Sequence, residues 1–342
     1  MQIHLPRLIA INVALFAANG ALAHHSIAQF DVDRTMTLQG VVTGFDWSNP
    51  HVYIEIETPD SEGAPMRWMI EGGPPNVMAR AGWSARSLAV GDSVTAAVHP
   101  LRAGDRRSVL GNAVTKADGT RLPIREAAVP ANLSTPERTT LIETDDIFGR
   151  WSVVWDPVLA GGFLAPENAW PITAAGRAAI ESYGLADNPS KDCNFEKAPF
   201  SMIWPGVIDI ESDDDVVRFR FELAPDRFIH MGDQNHQGAE YSPAGHSIGS
   251  FEGTTLVVDT THFEAHRRGL GRGLPSSRDK HLVERFELGA DDTEMIYRFR
   301  MEDPVYLAEP VTGSIRLQFR PDLVPERVEC DAAIARRYLE YE

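Results

Sequence analysis

The sequence predicts an all-β chain folded as two barrels, a small one followed by a larger one, and three observations carry that prediction. Short runs rich in Val, Ile, Phe and Thr, apolar at alternate positions, recur from Thr37 to Pro321 with Gly, Asp and Pro turns between them. Helical spacing is confined to two stretches, 74–82 and 173–184. Between the two sets of strands, "DGTRLPIREAAVPANLSTPERTT" (118–140) loses periodicity and collects Pro, Ala and Thr, which suits a linker.

The elements follow in chain order. Residues 1–23 carry Arg7, an apolar run and Ala21-Leu22-Ala23, which read as a cleaved signal peptide. The mature chain is then expected to begin at His24, in the periplasm or secreted. No later segment approaches the roughly 18 apolar residues a membrane span needs. The first domain (24–124) holds the strands "TLQGVVTGFDW", "HVYIEIET", "MRWMIEG" and "DSVTAAVHP", with Val52, Ile54 and Ile56 facing one way and His51, Tyr53 and Glu55 the other. A helix, "PPNVMARAG", interrupts them, and about 100 residues with five or six strands, four of them named here, suggest an OB-like barrel. After the linker (125–144), the second domain (145–342) opens on Gly149-Arg150-Trp151. It continues through strands at 149–155, 206–212, 216–223, 227–232, 246–253, 254–263, 281–288, 294–302 and 313–321. That count predicts a larger antiparallel barrel of lipocalin or calycin type, able to enclose one small ligand.

Charge and cysteines narrow the function. Loss of the leader removes Arg7 and no acid, leaving 49 acidic residues and a net charge of −18, most of it after residue 134. Such a surface repels phosphate backbones, so nucleic acid is excluded as a partner. Two cysteines in an exported chain predict one disulfide, Cys193 to Cys330. No phosphate-cradling Gly loop leads into a helix, so no nucleotide cofactor is expected.

"GHSIG" (245–249) matches the G-x-S-x-G of a hydrolase nucleophile elbow, but "SFEGTTLVVDT" follows where a helix is required. Ser247 therefore reads as a strand residue in a hairpin. Alternation along "TLVVDTTHF" places His262 with Leu256, Val258 and Thr260; Glu284 shares a face with Leu282 and Phe286, Tyr297 with Met295 and Phe299, and His230 with Phe228. A carboxylate in an apolar lumen must be paired or neutral. Glu284 is thus a candidate general acid or base with His262 or His230 as proton partner and Tyr297 as oxyanion donor. The alternative is a buried pair with Arg298 or Arg285 and no catalysis. Arg267, Arg268 and Arg272, in "RRGLGRGLPSSR", together with His281 and Arg285, are candidate substrate-binding groups at the mouth.

Two metal sites are also legible. His262 and His266 stand at i, i+4, a zinc spacing on a helix, with His281, His230 or His236 to complete the set. The mature amine with His24 and His25 is a copper chelate that His51 could extend.

Two resemblances attach to these residues. "AHHSIAQFDVDRTMTLQGVVTGFDWSNPHVYIEIE" and "GWSARSLAVGDSVT" resemble an exported bacterial family of unknown function over residues 23–122. "GHSIGSFEGTTLVVDTTHF", "HLVERFEL" and "MEDPVYLAEP" resemble a second uncharacterised exported family, calycin- or lipocalin-like, whose pattern runs G-x-S-I-G-x-W-E-G-D-T-L-V-V-D-T, V-x-E-R-[FY] and [DE]-D-P. Phe251 and Thr254 depart from its Trp and Asp. The resemblance implies compartment and fold rather than an activity.

The expected function is that of a periplasmic, cofactor-independent enzyme of aromatic compound catabolism. It would bind a hydrophobic small molecule in the second barrel and act as a lyase or isomerase by acid–base chemistry. On that reading Glu284→Gln abolishes turnover and spares folding. The alternative is an exported small-ligand or copper-binding protein without catalysis, followed by a zinc hydrolase.

Overall fold

The computed structural model describes residues 29–104, 106–125, 141–154, 156–204, 206–232, 235–290 and 292–339. The leader, His24, His25 and most of the linker lie outside them. The chain is all-β, with closed barrel sheets.

The N-terminal sheet has β1 (Met36–Asp46), β2 (Tyr53–Pro59), β3 (Pro65–Glu71), β4 (Ser93–His99), β5 (Ser108–Lys116) and β6 (Arg121–Pro123). Antiparallel pairs join β3-β2-β1-β4-β5-β6, and a parallel β3–β5 pair returns the sheet on itself, so β1 to β5 form a ring. β5 goes beyond the four named strands. It closes the ring where Gly111 admits its neighbours: a Cβ there would meet Ile124 Cδ1 at 2.6 Å and Ile70 Cγ2 at 3.0 Å. Ile54, Ile56, Ile70, Val94, Ala96 and Val114 fill the interior, and α1 (Pro75–Arg80), the expected helix, adds Met78.

The second sheet contains all nine expected strands. They are β7 (Gly149–Val153), β8 (Val207–Asp213), β9 (Val216–Phe221), β10 (Arg227–Met231), β11 (His246–Glu252) and β12 (Thr255–Thr261), then β15 (His281–Leu288), β16 (Glu294–Glu302) and β17 (Val311–Phe319). The intervening Gly-rich stretch, expected as a loop, folds into a separate hairpin of β13 (His266–Gly271) and β14 (Leu274–Ser276). The nine close in the order β10-β11-β12-β15-β16-β17-β7-β8-β9. The expectation of a wholly antiparallel barrel fails at one seam, because β10 and β11 run parallel. Parallel neighbours need a crossover, which the long connection from Gly232 to Gly245 supplies in place of a hairpin.

Among the described residues two helices of eight residues lie beside this barrel. In α2 (Pro157–Leu164), Asp156 caps the N-terminus by accepting from the backbone N–H of Val158 and Leu159 at 2.8 and 3.0 Å. Its Phe163 stacks on Phe200 (5.0 Å) and reaches Phe299 (6.0 Å), joining the helix to the barrel core. In α3 (Ala174–Glu181), Thr173 accepts from Gly176 N at 3.1 Å. The core is filled: Trp151, Phe219, Leu256, Phe286, Tyr297 and Leu317 are all fully buried in one cluster. Among the described residues no helix is long and apolar enough to cross a membrane.

The barrels are joined at Glu222, which is buried and accepts from Asn76 Nδ2 (2.8 Å), Val207 N (2.9 Å) and Glu326 N (2.7 Å) while pairing with Arg80. The C-terminal segment then straps across both. Cys330 is bonded to Cys193, Asn49 N donates to Glu329 O, Asp331 N donates to Ser48 Oγ, and Arg337 pairs with Asp46 and Glu55. Tyr53, on the face opposite Ile54 and Ile56, is buried beside this strap.

Candidate functional site

Glu284 points inward from β15 as alternation requires, and it is completely buried. Its partner is Arg227 at the start of β10, which is 4 % exposed. Arg227 Nη1 donates to Oε1 at 3.0 Å and Nη2 to Oε2, while Tyr297 donates its hydroxyl to Oε1 at 2.7 Å. The guanidinium also reaches Thr260 Oγ1 (2.8 Å) and Ser247 Oγ (3.2 Å), and those two hydroxyls are 3.0 Å apart. Ser247 is therefore a member of a buried network in the β11–β12 hairpin. Arg298 and Arg285 face outward and pair with Glu287 (2.6 Å) and Glu252 (2.8 Å), so neither is Glu284's partner. Burial, reinforced by the Glu284 charge, pushes the Tyr297 phenol well above its usual range and keeps it a neutral donor. Burial opposes the charge on Arg227, but Glu284 more than offsets it. Every group in this network is satisfied and the core around it is packed solid.

His262 and His230 do not join it. β12 ends at Thr261, and His262 takes a left-handed φ of 56°, which ends the alternation that placed it inside. His230 does share a face with Phe228, but it is the outer face; Arg227 and Ile229 point inward. Both histidines meet others on the outer wall. His230 stacks on His246 at 5.3 Å, and His236 lies 6.0 Å from His262, whose Nδ1 contacts Thr261 Oγ1 at 2.9 Å. His236 Nδ1 and His246 Nδ1 are 2.9 Å apart, and Asp259 holds His236 Nε2 and His281 Nε2 at 3.0 Å on its two oxygens. Tyr241 packs on His262 at 5.1 Å under the Arg278 guanidinium at 4.9 Å.

In the tautomer where His236 donates from Nε2 to the carboxylate, its Nδ1 is the acceptor at the 2.9 Å contact and His246 is the donor. That leaves Nε2 of His246 bare and able to take a proton. Partial burial, then the neighbouring His236, His230 and His262, hold the His246 pKa below the ordinary 6.5. Asp259, His236 and His246 thus form a carboxylate–imidazole–imidazole relay, with exposed Phe228 and Tyr241 as apolar surface beside it.

The proposed substrate arginines serve the hairpin instead. Arg267 donates to Gly273 O (2.8 Å) and Ala179 O (3.0 Å) and stacks over Tyr183, and Arg268 pairs with Glu196 at 2.9 Å and reaches Asn188 Oδ1 at 2.9 Å. Arg272 is largely buried, which lowers its pKa, and Arg268 adds to that. These contacts tie the β13–β14 hairpin to α3 and the segment after it.

The helical zinc spacing is absent as well. Residues 262–266 are not helical; His266 opens β13 and contacts Asn194 O at 3.2 Å, away from His262. His51 is held by Glu71 at 2.8 Å. Among the described residues no group of three or more His, Cys, Asp and Glu is arranged to hold a metal ion.

Burial pulls the His266 pKa down to about 4, which has a measurable consequence. As pH falls, the unfolded chain takes up this proton near 6.5, and the native state only near 4. Stability is therefore intact above about 6.5 and drains away as pH falls toward 4, by about 3 kcal/mol from this group. His266→Gln should flatten that part of the pH dependence in denaturant titrations between those limits.

Sequence reasoning missed Arg227, His236 as a relay member, His246 and Asp259. Asp259 alternates outward in "VVDTT", which is a readable signal; His236 sits in a crossover with no periodicity to place it. No curated protein and no solved structure matches the chain. Over residues 13–110 the sequence matches the model of a family of unknown function, DUF6152, so the N-terminal resemblance has a family behind it.

Proposed function

We propose that the chain is an exported, cofactor-independent enzyme that performs acid–base chemistry on a hydrophobic small molecule, aromatic or alicyclic, at the outer wall of the second barrel. The observation that carries this reading is the 2.9 Å contact between His236 and His246 with Asp259 behind it. His246 takes the substrate proton at Nε2. The imidazolium so formed is stabilised through His236 by the carboxylate, while Tyr241 and Arg278 face a developing oxyanion. Elimination, C–C cleavage and isomerisation need only these parts. The packed interior around Glu284 argues for the wall over the lumen.

The Cys193–Cys330 bond and the leader support export to the periplasm. We read the first ring as OB-like, since five strands in the order β1-β2-β3-β5-β4 enclose one core, with a helix between the third and fourth. The second barrel we read as calycin-like in its mostly antiparallel closure, set apart by the parallel seam and filled core.

The test is proton exchange: small ketones, enones and phenols are incubated with the protein in D2O and followed by NMR. Exchange into at least one C–H position is expected, reduced roughly 10²–10⁴-fold in His246→Asn, with a kcat/KM limb below pH 6.5. Equal exchange in wild type and His246→Asn would refute the reading. Copper bound near one equivalent by processed protein, without exchange, would favour the binding-protein alternative.

A further inference from the structure

The crossover between β10 and β11 brings His236 and Tyr241 onto the relay, and its backbone does little to keep them there. Within residues 235–241 the backbone donors are satisfied locally: Gln237 N donates to Asn235 Oδ1 at 2.9 Å and Ala239 N to His236 O at 3.2 Å. The backbone first joins the wall at Ser242, whose N–H donates to His262 O (3.0 Å) and whose carbonyl accepts from Glu264 N (2.8 Å). Before that point, among the described residues, two side chains make the attachment. His236 bonds to His246 and Asp259, and Tyr241 packs on His262. Gly238, two residues past His236, has a left-handed φ of 81° and nothing within 4 Å of where a Cβ would stand, so the chain is free to turn there.

The 2.9 Å contact between His236 Nδ1 and His246 Nδ1 limits how many protons the two rings can hold. The nitrogens face each other, so only one of them can carry a hydrogen, whichever tautomer is present. A first proton added to the neutral pair is accommodated and gives one imidazolium beside Asp259. A second sets N–H against N–H and places two like charges side by side, so the contact must break. The surroundings push the same way. Around the pair stand His230 on β10, Asp259 on β12, His262 just after it, His281 on β15 and Arg278 over Tyr241. Beyond His281 on β16, Arg300 and Glu302 pair with each other, while Glu240, Glu264 and Asp279 are exposed. Acid therefore gathers imidazolium charges and a guanidinium around one central carboxylate.

We propose that this contact is an acid-released latch: uptake of a second proton by the His236–His246 pair frees residues 235–241 from the wall and dismantles the relay. The latch regulates the site described under the proposed function and rests on that reading. Near neutral pH it is shut, and His236 backs His246. In acid the segment swings about Ser242 and carries His236 and Tyr241 away, so His246 loses both its imidazole support and its link to Asp259. Two protons enter and one N–H···N bond is lost, with no covalent change.

The test is NMR of the full, disulfide-intact chain with labelled histidine nitrogens and no substrate, titrated from about pH 7.5 to about pH 5. The nuclear Overhauser contact between the Tyr241 and His262 rings should be present at the upper end. It should be lost in acid as His236 and His246 both become imidazolium, while the resonances of the buried Trp151 and Tyr297 stay unchanged and show the barrel intact. In His246→Gln the latch should hold throughout, because an amide oxygen accepts from a protonated His236 as readily as an imidazole nitrogen does. A ring contact that survives in the wild type to about pH 5, or that is lost at the same pH in wild type and His246→Gln, would overturn the proposal. No turnover is measured, so the two readings fail separately: release without any C–H exchange would refute the enzyme alone, and exchange without release would refute the latch alone.

Discussion

Glu284→Gln is expected to lower the unfolding free energy by about 3–5 kcal/mol. The carboxylate is fully buried, and its two oxygens receive both terminal nitrogens of Arg227 and the hydroxyl of Tyr297. An amide presents one acceptor in place of two and leaves the guanidinium buried without a counter-charge. Nothing nearby can replace it, because Thr260 and Ser247 are already bonded to the same guanidinium and to each other. The loss should appear as a lower guanidinium chloride midpoint with an unchanged slope. The double variant Arg227→Met/Glu284→Leu should recover most of it, since replacing a whole buried pair by apolar volume is often neutral. Wild-type stability in the single variant would show that the pair is not what holds β10 to the opposite wall. The outcome reverses the expectation drawn from alternation, in which the same substitution removed activity and left folding intact.

Cys193→Ser is expected to cost about 5 kcal/mol on the chain-entropy model, because the bond spans 137 positions. The native state loses more than a cross-link. Asn49, Ser48, Asp46 and Glu55 all bond the segment that Cys330 anchors, so freeing it should expose Tyr53. Denaturant titration of Cys193→Ser against the oxidised wild type measures the first effect. Limited proteolysis after residue 320 measures the second. A variant that unfolds at the wild-type midpoint and resists cleavage there would sink both expectations.

The strands of the larger barrel were legible because most are joined by hairpins, whose alternation and turn residues are local. The parallel seam was not, since neither β10 nor β11 says which neighbour it takes after a long crossover. In the first barrel β5 escaped because Gly111 and a shift in its pairing with β4 break the alternation. Glu284 was readable as an inward carboxylate, but its partner was sought among arginines near it in the sequence. Barrel closure chose Arg227 instead, 57 positions away. In "RFIHM" two assignments compete, and the apolar Phe228 favoured the wrong one. An arginine takes the inward place in such a strand only when a carboxylate waits for it across the core, which no local pattern contains. His262 failed for a different reason: a strand pattern does not announce where the strand stops.

The strap that buries Tyr53 also sets an order of events during synthesis. Arg337 is made 291 positions after Asp46, the residue it binds. Throughout translation of the intervening chain, the first barrel must stand with one flank unfinished, and that flank is completed only by material emerging at the end. A nascent chain stalled just short of Cys330 would therefore carry a fully translated first barrel whose β2 surface is still bare, a natural foothold for whatever chaperone meets it.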